Sequence, residues 1–131
     1  MQNRIDEAIQ MHYTRADLGE LILAALEKAG KDINRLTPED LTPIDQFHIR
    51  GRTATLELAR TAGLDAAKHI LDVGSGVGGT SRCLAKEFGC RVTGIDFTDE
   101  YCKAAAMLSV KTGLAHLVDY RQGDATNLPF N

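Results

Sequence analysis

His69-Ile70-Leu71-Asp72-Val73-Gly74-Ser75-Gly76-Val77-Gly78-Gly79 carries the clearest fold signal in the chain. Ile70, Leu71 and Val73 mark a short strand, and it runs directly into a glycine-rich turn. A helix from about Gly79 to Phe88 follows, closed by Gly89. The pattern then repeats. Arg91-Val92-Thr93-Gly94-Ile95-Asp96 is a second strand, and Thr98 caps a helix with Asp99 and Glu100 in its first turn, where the helix dipole favours acids. That helix ends at Gly113, and Leu117 to Arg121 form a third strand before Gly123-Asp124-Ala125. Strand, helix, strand, helix, strand is the order of an α/β protein with a parallel sheet. Right-handed crossovers place the second and third strands successively outward on one side of the first.

Upstream, from residue 1 to 65, every periodic segment is helical, so the chain divides into an N-terminal helical segment and an α/β part from 66 to 131. Thr14 starts the first clear helix, with Asp17 as its capping-box acid, and Leu18, Leu21, Ile22, Ala25, Leu26 and Ala29 share one face up to Gly30. Thr37-Pro38-Glu39-Asp40 is a second start signal, Pro43 breaks what begins there, and Thr53 to Ala62 forms a further helix closed by Gly63.

The 131 residues carry a net charge of −3, with basic residues scattered singly among acids, which gives no electrostatic footprint for nucleic acid. The longest apolar run, Leu21 to Leu26, is far too short for a bilayer, so no membrane insertion is expected. Cys83, Cys90 and Cys102 form no CxxC pair and have no metal-ligand spacing; a cytoplasmic chain without a metal site is expected.

Gly74, Gly76 and Gly79 satisfy the GxGxxG dinucleotide fingerprint, which makes an NAD(P)-binding oxidoreductase domain one reading. Asp72 opposes it. A fixed anion at the strand end repels a pyrophosphate, whereas S-adenosylmethionine has no phosphate and carries an ammonium and a sulfonium. Asp96, 22 residues after Gly74, suits two ribose hydroxyls under either reading. Phe97 offers a flat apolar face to a base, and Asp124 an acceptor for its amino group.

Asp72-Val73-Gly74-Ser75-Gly76-Val77-Gly78 resembles the DxGxGxG motif of the seven-stranded, Rossmann-like S-adenosylmethionine-dependent methyltransferases. Gly94-Ile95-Asp96-Phe97 and Gly123-Asp124-Ala125 resemble that family's next two cofactor motifs, in order. Asp45 to Arg52 is more loosely similar to the segment before the core in the ubiquinone/menaquinone and sterol methyltransferase type. The resemblance implies cofactor binding by Asp72, Gly74, Ser75, Gly76, Gly78, Asp96, Phe97, Asp124 and Ala125, with S-adenosylhomocysteine as product and in-line transfer of a methyl group to a small molecule. It also implies a doubly wound sheet of strand order 3-2-1-4-5-7-6, of which this chain holds 3-2-1.

The chain is accordingly expected to be a cofactor-binding half, inactive alone, whose strand 4 and acceptor-facing residues lie elsewhere. A non-catalytic nucleotide-binding module is a further reading. His48 is the tempting base near the mouth of the site, but histidines outside a constellation are more often structural, and no catalytic residue is assigned. Gln46 and Arg52 are weighed equally as ligands of the cofactor carboxylate and as surface residues. The free edge of strand 1 leads to an expected homo-oligomer, unless the N-terminal helices fold across it.

Overall fold

The computed structural model describes residues 17–45, 51–128 and 130. Helix α1 (Leu18–Lys28) begins at Asp17, whose extended backbone and carboxylate make it the N-cap; it accepts from the Glu20 N–H at 2.7 Å. Thr14, the expected cap, lies outside the described residues. The helix ends on Gly30 (φ 85°), with the Lys31 N–H bonded to the Leu26 carbonyl at 3.0 Å, a Schellman closure. A 3-10 turn, Pro38–Leu41, starts at the Thr37-Pro38 signal. Thr37 N–H donates to Asp40 Oδ2 (3.0 Å) and Asp40 N–H to Thr37 Oγ1 (3.4 Å). The turn that begins there ends at Leu41, as expected, but Pro43 does not keep a short helix from following. Pro43 sits in the first turn of α2 (Thr42–Asp45), where its missing N–H has no helical partner to lose. Helix α3 (Gly51–Thr61) is closed at Gly63, as anticipated.

The α/β part follows the expected order: β1 (His69–Val73), α4 (Gly79–Phe88), β2 (Arg91–Asp96), α5 (Asp99–Lys111) and β3 (Val118–Gln122). β3 starts one residue later than its pattern suggests. The Leu117 N–H turns back to Leu114, and only its carbonyl joins the ladder, accepting from Val92 at 2.9 Å. All pairings are parallel in the order β1-β2-β3, with Ile70 opposite Val92 and Val92 opposite Val118. Thr98 occupies the N-cap position of α5 but its side chain bonds to no helix N–H; the Thr98 N–H is instead held by Asp96 Oδ1 at 2.9 Å.

The core is on one face of the sheet. Leu84 and Ala85 of α4 pack with Val92, Val118 and Ala59 of α3, while Ala104 and Leu108 of α5 pack with Ile22, Leu26, Leu36 and Leu41. The described N-terminal helices therefore share the helical side of the sheet, and no described strand pairs with the outer edge of β1. The other face is barer. Leu71 and Val73 remain 39% and 47% exposed. A polar chain crosses that face, with His69 Nε2 2.9 Å from Thr93 Oγ1, which donates to Asp119 Oδ1 at 2.8 Å. Phe130 returns against it, 5.5 Å from the Arg121 guanidinium. This arrangement leaves the carboxyl ends of all three strands together at one rim.

Candidate functional site

At that rim β1 delivers Asp72, β2 delivers Asp96 and Phe97, and β3 delivers Asp124. The glycine turn crosses between the first two. Gly74 and Gly76 have φ of 73° and 56°, which side chains other than glycine rarely adopt, and a Cβ on either would meet open space. These two glycines present bare backbone to solvent. Gly78 (φ 89°) differs: its Cβ position is already taken by the Tyr120 hydroxyl and lies 2.8 Å from Arg82 Nη1. Gly78 is glycine because a core tyrosine passes beneath it.

The turn's own donors are largely spent internally. Gly74 and Ser75 N–H bond the Ile95 carbonyl at 2.8 and 3.0 Å, Gly78 N–H bonds the Ser75 carbonyl at 2.9 Å, and Gly76 N–H donates to Asp96 Oδ2 at 2.8 Å. Asp96 thus pins the turn to β2 with one oxygen and the start of α5 with the other. Ser75 faces inward, buried, its hydroxyl without a partner among the described residues.

Asp72 is half-buried, and burial raises its pKa above the ordinary carboxylate value. A hydrogen bond from Ser81 opposes this shift, and the nearby Asp96 charge adds to it. The Ser81 hydroxyl donates to Asp72 Oδ2 at 2.7 Å. Phe97 is 77% exposed, a free aromatic face beside Asp96. Asp124 is exposed and closes its own turn, accepting from the Thr126 N–H (2.8 Å) and hydroxyl (2.7 Å), which lower its pKa. Ala125 is exposed in the same turn, and the Gly123 N–H ties that turn to the Asp96 carbonyl at 2.9 Å.

Of the nine residues singled out from the sequence, Asp72, Gly74, Gly76, Asp96, Phe97, Asp124 and Ala125 face the rim with exposed or part-exposed surface, while the Ser75 side chain and the Cβ side of Gly78 turn into the protein. Arg52 is engaged away from the rim, paired with Glu87 and with Glu39 (3.7 Å) and donating to Cys83 Sγ at 3.2 Å. Gln46 and His48 lie outside the described residues. Three residues under the turn escaped the sequence reading: Ser81, Arg82 and Tyr120. Arg82 is fully buried and donates to the Val77 carbonyl of the turn (2.7 Å) and toward Ala105 of α5 (3.4 Å). Polar Ser81 and Arg82 on the buried side of α4 were the available signal.

The methyltransferase domain family matches residues 70–131. Sterol 24-C-methyltransferase of Eremothecium gossypii is 41% identical over 73 residues, covering 56% of this chain and 20% of the enzyme. Chloroplastic tocopherol O-methyltransferase of Arabidopsis thaliana is 40% identical over 63 residues, covering 48% and 18%. An RNA methyltransferase of Salinibacter ruber, solved with S-adenosyl-L-homocysteine, superposes with a TM-score of 0.56 at 29% identity, over 58% of this chain and 50% of that one. The match to the two curated enzymes spans about a fifth of their length.

Proposed function

We propose that this chain is the cofactor-binding part of an S-adenosylmethionine-dependent methyltransferase acting on a small molecule. The observation that carries the reading is the pair Asp72 and Asp96 flanking a bare glycine turn whose N–H groups at Gly74, Ser75, Gly76 and Gly78 are already bonded. A pyrophosphate needs free N–H donors and a positive field at such a turn; here the N–H groups of Gly74, Ser75, Gly76 and Gly78 are spent and two carboxylates flank them. The same features suit a nucleoside that carries cations and no phosphate.

The residues fit that ligand in turn. Asp72 faces its ammonium with one carboxylate oxygen, bare Gly74 and Gly76 let its methionyl chain approach, Asp96 receives the ribose hydroxyls and Phe97 lies against adenine. Asp124 and Ala125 meet the base edge after the Thr126 contacts rearrange. When bound, S-adenosylmethionine supplies a sulfonium-activated methyl group; what these residues do is bind and orient it. A small-molecule acceptor is supported by the acidic, scattered charge and by relatives named for sterol and tocopherol. Thermal shift tests the reading: S-adenosylhomocysteine should raise the melting temperature and NAD should not, and the reverse would replace it with a dinucleotide site.

The described residues before 66 and those after it are proposed as two stretches of one folding unit, given the shared core of Ala59, Leu84 and Val92. Self-association through the β1 edge is proposed from exposed Leu71 and Val73 beside an edge that no described strand pairs, and a clean monomer by light scattering would remove it. Three buried free thiols support a cytoplasmic location, which fractionation of the native cells would test.

A further inference from the structure

Asp72 is divided between the protein and the rim. Its Oδ2 accepts the Ser81 hydroxyl at 2.7 Å, and its Oδ1 receives no hydrogen bond from any described residue. Ser81 is fully buried in the first turn of α4, nine residues after Asp72, with no route to a ligand of its own. The charged groups around Asp72 do not help it ionise. Asp96, from β2, repels, and no lysine or arginine among the described residues pairs with it. Arg82, the next residue on α4, directs its guanidinium to the Val77 and Ala105 carbonyls. The Ser81 hydroxyl is therefore the favourable local contact of a half-buried anion.

We propose that Ser81 is a positioning residue for Asp72: its hydroxyl holds one carboxylate oxygen, keeps the group an anion and leaves the other oxygen for the ligand's ammonium. Ser81 thereby sets the acid limit of cofactor binding without touching the cofactor. This rests on the function proposed above. Without the hydroxyl, desolvation and the Asp96 charge act unopposed, and Asp72 takes up a proton at a higher pH. A protonated carboxyl no longer attracts the ammonium, so binding fails earlier on acidification.

The test has two readouts on wild type, Ser81→Ala and Ser81→Thr between pH 4 and 8. The first follows the Asp72 carboxyl by carbon NMR in the ligand-free protein; the second measures S-adenosylhomocysteine affinity by calorimetry. Ser81→Ala should raise the Asp72 titration midpoint by about one pH unit, the loss of one hydrogen bond to a charged group. It should move the acid fall of affinity by the same amount, with the affinities converging at pH 8. Ser81→Thr, which keeps the hydroxyl, should restore both. Equal titration midpoints in wild type and Ser81→Ala overturn the role of Ser81 whatever binds. Absence of binding by wild type at every pH removes the cofactor reading, and the ligand half of this proposal with it, while the NMR midpoint still decides whether Ser81 governs Asp72.

Discussion

Replacing Gly78 by alanine separates the two duties of the glycine turn. Gly74 and Gly78 both have left-handed backbones, with φ of 73° and 89°. Alanine at either incurs the left-handed penalty of about 1–2 kcal/mol. Only at Gly78 does the new methyl also meet atoms: the Tyr120 hydroxyl, Tyr120 Cζ at 2.7 Å and Arg82 Nη1 at 2.8 Å. Neither neighbour gives easily. Tyr120 Oη lies 3.0 Å from Ser109 Oγ, and Arg82 is fully buried with Nη1 bonded to Val77. Overpacking of this kind adds about 1–3 kcal/mol, so Gly78→Ala should lose about 2–5 kcal/mol and Gly74→Ala about 1–2 kcal/mol. Urea titrations read the difference directly as midpoints. The pair Gly78→Ala with Tyr120→Phe should recover part of the loss relative to the sum of the single changes, because the phenyl ring clears the hydroxyl from the Cβ position. Equal midpoints for Gly74→Ala and Gly78→Ala would refute the division of the turn into an open side and a packing side.

Arg82→Met keeps the length of the side chain but leaves the Val77 carbonyl without its buried donor and removes the longer contact to Ala105. It should lower stability by about 2–4 kcal/mol, seen as a reduced urea midpoint. Asp72→Asn should do the opposite at neutral pH. Burial raises the folded-state pKa of Asp72, so its protonated form favours folding, and that contribution is present at acid pH and lost as pH rises through the folded pKa. The variant's melting temperature should therefore exceed wild type near pH 8 and approach it toward pH 4; a gap that widens on acidification would contradict this. Asp17→Ala removes the α1 cap bond to Glu20 and should cost about 1 kcal/mol, measured by thermal melting.

The strands and helices of the α/β part were legible because each signal is local. His69–Val73, Gly79–Phe88 and Arg91–Asp96 begin and end where glycines, β-branched runs and acids say they should. Leu117 and Pro43 misled because their assignment depends on which backbone groups find partners, which spacing does not disclose. At the site, the sequence located the acids and the open glycines but not the layer beneath them. Gly78 looks like its neighbours in the motif, and only the approach of Tyr120, 42 residues later, reveals that it serves packing. Ser81 and Arg82 were hidden for a related reason. They are polar residues in a run buried from Ser81 to Ala85, and sequence does not say what buried polar groups will bond.

Isothermal titration of S-adenosylhomocysteine into the wild-type chain and into Asp96→Ala puts the proposed cofactor site to the sharpest test. One site per chain is expected in wild type, with no comparable heat from NAD. Asp96→Ala should lose about 3 kcal/mol or more, from two charge-assisted bonds to ribose and the released Gly76 N–H. Unchanged affinity in Asp96→Ala, or NAD binding as strong as S-adenosylhomocysteine, would contradict the proposed site.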